Sequence, residues 1–142
     1  KAPSPLFQPF DTFIGRLRHG RVLAEEDGLG SGIVLQAQRM FATGPAPVPA
    51  DRLAHVRYQF FEKYLPVIAG HTPEAHFERH DALRQMMFYY FRLRGAWLPS
   101  LKEWPRALVD EDPVMLALLE QAGTPAASIE DFRALFTYVF GE

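Results

Sequence analysis

Cysteine is absent from the 142 residues. Disulfide staples, zinc knuckles, thiol nucleophiles and cysteine-held iron–sulfur clusters are excluded with it. Long apolar runs are missing too. None approaches the ~20 residues that a membrane-spanning helix needs, so no membrane partner is expected. No basic-then-apolar leader opens the chain, and no signal peptide is visible. A strong charge of one sign is also lacking. Lys and Arg number 15 against 17 Asp and Glu, for a net charge of −2, which offers no overall field for nucleic acid. These absences fit a cytoplasmic chain. The sequence opens at Lys1 rather than at a methionine, and a processed or excised piece of something longer is expected.

What is there is globular. The chain is 48% hydrophobic and 23% charged, and at this length it buries roughly two-thirds of its unfolded surface. Charge is unevenly spread. Residues 79–106 hold Arg79, Arg84, Arg92, Arg94, Lys102 and Arg106 against Asp81 and Glu103. Residues 107–142 hold Arg133 alone against seven acids. The two blocks either neutralise each other across the fold or leave a local anion site in the middle stretch.

Apolar spacing follows the helical period, and no alternation at period two persists. The expected fold is all-α: a bundle of five main helices around a central buried helix at residues 73–94, with a short helix ahead of it in sequence. Residues 1–28 read as an N-terminal arm or linker remnant and 29–142 as the bundle domain. Pro3, Pro5 and Pro9 predict an extended arm. Asp11, Ser31, Asp51, Thr72, Ser100, Asp112 and Ser128 are candidate helix caps. Thr72-Pro73-Glu74 and Asp112-Pro113 are the strongest starts, and Ser128 with Asp131 resembles a capping box. Pro66 predicts a kink or stop near residues 63–65, and Pro105 a distortion after Ser100. Residues 43–49, with three alternate prolines, form a stiff linker. Met86-Met-Phe-Tyr-Tyr-Phe91 covers every direction round a helix and predicts burial on most sides. Met87, Phe88, Tyr90, Phe91, Phe60, Leu118 and Phe136 are the expected core.

Four constellations carry chemistry in principle. His76 and His80 stand four apart on one helical face, as a metal-gripping pair does, but without a committed third ligand they read as solvated. Asp110 and Asp112 form an Asp-x-Asp that capping and the helix dipole explain. Gly28-Leu-Gly-Ser-Gly32 precedes a helix as a phosphate loop does, but no Lys follows, and a flexible connection is the plainer reading. The aromatic run at 86–91 reads as core rather than as a ligand pocket. A fifth stretch, residues 89–105, interleaves Arg92, Arg94 and Lys102 with Trp97 and Trp104 around a helix–loop–helix corner. Arg92 and Arg94, two apart, do not share a helical face. Lys102 is expected in the first turn of the next helix, where anions are favoured.

Tyr90…Arg94-Gly-Ala-Trp97-Leu-Pro99…Lys102-Glu-Trp104…Leu108…Asp112-Pro113 resembles the helical C-terminal half of nucleotidyltransferase-superfamily proteins, nearest in type to the kanamycin-nucleotidyltransferase-like enzymes. Gly20-Arg-Val-Leu23…Glu26-Asp-Gly28 resembles the segment where such chains leave the catalytic domain, and Gly44-Pro45 fits the same template. The resemblance spans about residues 15–120. It implies an accessory domain that binds the acceptor or walls the nucleotide cleft, inactive alone, with Arg92, Arg94, Trp97 and Lys102 facing substrate or phosphate. The family's Gly-Ser motif is followed by an Asp-x-Asp that holds Mg²⁺ and the nucleoside triphosphate. Gly30-Ser31 has no such pair after it at suitable spacing, and Asp110 and Asp112 come far too late. Mg²⁺ and NTP are thus implied only for a catalytic domain outside these residues, and the implied partner is a nucleotide or a small-molecule acceptor. The other expectation, from a different class, is a stand-alone helical interaction module.

Overall fold

The computed structural model describes residues 10–100 and 102–141, with Phe10 and Asp11 described in backbone only. Leu101 and the proline-rich arm at residues 1–9 lie outside the described residues. Among the described residues every regular element is helical, as the periodicity predicts. In order they are α1 (Phe10–Leu17), α2 (Leu29–Thr43), α3 (Ala50–Tyr58), α4 (Leu65–Ile68), α5 (Pro73–Leu93), α6 (Trp104–Glu111), α7 (Pro113–Ala122) and α8 (Ile129–Phe140). A π-helical turn, Gln59–Tyr64, joins α3 to α4, so residues 50–68 form one rod. The short helix expected after Ser100 is α6, and it starts at Trp104.

Three helices start where their cap chemistry predicts. Thr72 Oγ1 accepts the Ala75 N–H at 3.2 Å ahead of α5. Asp112 Oδ1 accepts the Met115 N–H at 3.0 Å ahead of α7. Ser128 and Asp131 exchange reciprocal bonds as a full capping box on α8. Each satisfies an amide that has no partner within the helix.

Other starts are corrected. Helix α2 begins at Leu29, two residues before Ser31, after Asp27 and Gly28 take left-handed backbone at φ 55° and 71°. Ser31 lies in the first turn and donates its N–H (2.8 Å) and hydroxyl (2.6 Å) to the Glu25 carboxylate. Those two bonds, the hydroxyl first, hold the Glu25 carboxyl below its usual range. The glycine-rich stretch is therefore a capped first turn rather than a flexible connection. Asp51 stands inside the first turn of α3, and Asp11 inside that of α1. Ahead of α6, Glu103 accepts the Ser100 hydroxyl at 2.9 Å and its N–H at 3.3 Å. Pro105 falls in the first turn of α6, where its missing N–H has no helical acceptor to lose, so it distorts nothing.

The π-turn is the form that the Pro66 disturbance takes. An α-helical proline at 66 would press its ring on the Glu62 carbonyl and donate no bond. The rod widens just upstream instead, and the Leu65 N–H bonds Phe60 five residues back. The extra residue per turn lets Phe60 and Leu65 both reach the core.

That core lies between the rod, α5 and α8. Met86, Met87, Tyr89, Tyr90 and Phe91 of α5 are buried, as expected of the central helix, and α8 adds Phe132, Leu135, Phe136, Val139 and Phe140. Phe60 meets Phe136 with ring centroids 4.9 Å apart and stacks on Tyr64 at 5.2 Å. Phe88 and Leu118 are corrections: both are only half-buried, and Leu119 takes the inner place on α7. Of the six large residues at 86–91, Phe88 alone is half-buried. Helices α1 and α2 pack on each other across the boundary drawn at residue 28, and among the described side chains neither gives a residue to the main core. No helix among the described residues is long and apolar enough to cross a membrane.

Candidate functional site

The basic corner divides into two sides of α5. On one side, Arg94 lies against the N-terminus of α7. Its guanidinium sits 3.8 Å from the Tyr90 ring centroid, donates to the Tyr90 carbonyl at 3.4 Å and pairs with Asp112 at 3.7 Å. Asp112 also accepts the Tyr90 hydroxyl at 2.8 Å and the Tyr138 hydroxyl at 2.9 Å. Arg94 of the basic block is thus paired with an acid of the C-terminal third. Tyr90 and Arg94, four apart, share the helical face that meets α7. Burial pushes the Asp112 carboxyl up, but the Met115 amide, the two tyrosine hydroxyls and Arg94 outweigh it and hold it below its usual range. Tyr90 is pushed up to about 12, by burial first and then by its bond to Asp112.

On the other side, Arg92 turns toward the proline linker. It is half-buried, reaches the Ala46 carbonyl at 3.5 Å, and lies 5.0 Å from the Phe88 ring centroid and 5.5 Å from that of Trp97. Trp97 is half-buried, and its Nε1 has no hydrogen-bond partner among the described residues. Lys102 is exposed in the turn ahead of α6, not in its first turn as expected. The structure therefore separates the four predicted residues: Arg92 and Trp97 together, Arg94 across the helix, Lys102 on the surface.

Arg92 lines a cleft of about 250 Å³. One wall is the extended linker, Ala46, Pro47, Val48 and Pro49, and the opposite wall is Phe88, Tyr89 and Arg92 of α5. Arg52, half-buried in the first turn of α3, closes the end. Two arginines, and among the described residues no carboxylate, line this space. Burial raises the Tyr89 hydroxyl above its ordinary range, and the charge and hydrogen bond of Arg52 pull the other way. Prolines fix the linker backbone, so its wall is stiff. Sequence reasoning missed Arg52 and Tyr89. Arg52 stands 40 residues before Arg92, and nothing local joins them.

The remaining constellations are quieter. Asp110 ends in α6 while Asp112 caps α7, so the Asp-x-Asp does not converge. His76 and His80 line a hollow of about 160 Å³ with Arg79, whose guanidinium donates to the Ile68 carbonyl at 2.8 Å. No group of three His, Asp or Glu side chains able to hold a metal occurs among the described residues. A cation there would have two ligands and a guanidinium beside it. Calorimetry with Zn²⁺ is expected to show no stoichiometric binding; tight binding lost in His76→Ala would reverse this.

No protein-family model, no curated protein and no solved structure matches the chain.

Proposed function

We propose that this chain is the ligand-binding helical part of a nucleotidyltransferase-like protein, inactive alone and working with a catalytic domain that carries the Asp-x-Asp pair, Mg²⁺ and the NTP. The observation that carries the reading is the cleft between linker and α5, with Arg52 and Arg92 on its walls and, among the described residues, no carboxylate. A stiff, partly apolar concavity with a few convergent polar groups is the usual form of a small-molecule site. Guanidiniums present paired donors suited to carboxylate or phosphate oxygens. The resemblance at residues 90–113 supplies the family; the cleft supplies a place for its nucleotide or acceptor. A cytoplasmic location goes with this reading.

The test is an NMR titration of the chain with a panel of anionic small molecules, ATP and pyrophosphate included. Perturbations centred on residues 46–52 and 88–97 are expected, weakening with salt. Shifts spread over all basic residues, or none, would remove the reading. With Mg²⁺–NTP and acceptor the chain is expected to transfer no nucleotide. Turnover that disappears in an Asp110→Asn/Asp112→Asn variant would contradict it.

A second reading, a helical interaction module, is favoured by one feature. Phe13, Leu29 and Ile33 are exposed around an apolar groove of about 410 Å³ between α1 and α2.

A further inference from the structure

The cleft has a size as well as a charge, and the two together narrow its ligand. Resting on the ligand-binding reading above, we infer that the cleft takes a compact monoanionic or phosphomonoester ligand, one anionic head on a single ring or short apolar body, rather than a nucleoside triphosphate. In a nucleotidyltransferase-like assembly that makes it an acceptor pocket and not a wall of the nucleotide site.

Space is the first argument. Ligand pockets for drug-sized molecules run from roughly 300 to 1,000 Å³, and this cleft holds about 250 Å³. One ring with a carboxylate or phosphate fills it. A purine, a ribose and three phosphates would extend well out of it into solvent, with most of their polar groups unmet by the protein.

The distribution of polar groups is the second. A triphosphate chain needs donors spread along its length, commonly successive backbone amides or a bound cation. Here Arg52, Arg92 and Tyr89 line one small space. The rest of the lining is apolar, from Pro47, Val48 and Phe88. One charged head and one apolar body match that division.

Preorganisation is the third. Arg92 is already placed by the Phe88 ring and the Ala46 carbonyl. A ligand that binds there freezes little additional side-chain freedom.

The experiment titrates the full chain, by NMR at low salt, with phenyl phosphate and benzoate, with pyrophosphate and ATP, and with phenol and benzylamine. Phenyl phosphate is expected to perturb amides at 46–52 and 88–92 with submillimolar to millimolar affinity. Arg52→Gln is expected to weaken it about tenfold, Arg52→Lys to recover part, and Lys102→Ala to change nothing. Circular dichroism checks that each variant remains folded. ATP or pyrophosphate binding the same amides as tightly as phenyl phosphate would overturn this inference and leave the ligand-binding reading standing. Phenol or benzylamine acting equally well would overturn the anionic head. An Arg52→Gln variant that binds as the parent does would overturn the assignment to this cleft. No perturbation by any probe would overturn both readings.

Discussion

Phe136→Ala is expected to lower the unfolding free energy by about 3–5 kcal/mol, the range for removing a fully buried aromatic ring. The side chain is wholly enclosed, with Phe60, Phe61 and Phe132 rings 4.9, 6.0 and 6.2 Å away between centroids. Those neighbours sit on two different elements, the rod and α8 itself. A hole left at their meeting point cannot close by moving one side chain. Removing the ring also removes its edge-to-face packing, and such aromatic pairs contribute about 0.5–1.5 kcal/mol each beyond burial. Phe88→Ala provides the contrast. Phe88 is half-buried and borders the cleft, so a loss of only about 1–2 kcal/mol is expected. Urea unfolding of both variants checks the ordering. A Phe136→Ala loss below about 1 kcal/mol would mean that α8 does not complete the core.

Asp112→Ala is expected to cost about 2–4 kcal/mol. The substitution removes the cap of α7, worth about 1 kcal/mol. It also removes the acceptor of the Tyr90 and Tyr138 hydroxyls, and bonds to charged groups are worth about 1.5–3 kcal/mol. Tyr90 is nearly fully buried, and its hydroxyl would be left without that acceptor. Asp112→Asn keeps an acceptor and loses the charge, so a smaller loss is expected. The pH dependence has a definite sign. The folded Asp112 carboxyl lies below its usual range, so its contribution is complete above the ordinary carboxylate pKa of about 3.9 and is lost as pH falls through the folded value. The difference between parent and Asp112→Asn should therefore narrow below about pH 4. At the alkaline end Tyr90, pushed up to about 12, contributes fully below the ordinary tyrosine range and loses that contribution as pH rises toward 12. Denaturant midpoints across pH check both limbs.

Local chemistry explains what can be read in advance. Thr72, Asp112 and Ser128 each bond an amide three residues on, so four residues of sequence contain the whole interaction. Ser31 misleads because its partner, Glu25, comes from six residues before it and lets the helix start earlier. Pro66 announces a disturbance, but its form as a π-turn follows from seating both Phe60 and Leu65 in one core, which no window shows. Arg94 looks unpaired in the sequence because charge blocks hide individual pairs. The spacing of Tyr90 and Arg94 is the available signal that both face one acid. The cleft is illegible for a simpler reason. Its two cations lie on different helices, and only the return of the linker along α5 brings them to one space.

The part played by α8 bears on how the chain reaches this structure. Most helices pack on their neighbours in sequence: α1 on α2, the rod on α5, α6 on α7, α7 on α8. Such contacts close short loops and form early. The exception is α8, which reaches back across the chain to α5 and the rod. Its docking has to close the longest loops before the aromatic packing repays the lost entropy. Docking of α8 is thus expected to come late in folding, and a chain in which it has not yet docked would present the aromatic side of α5 to other chains.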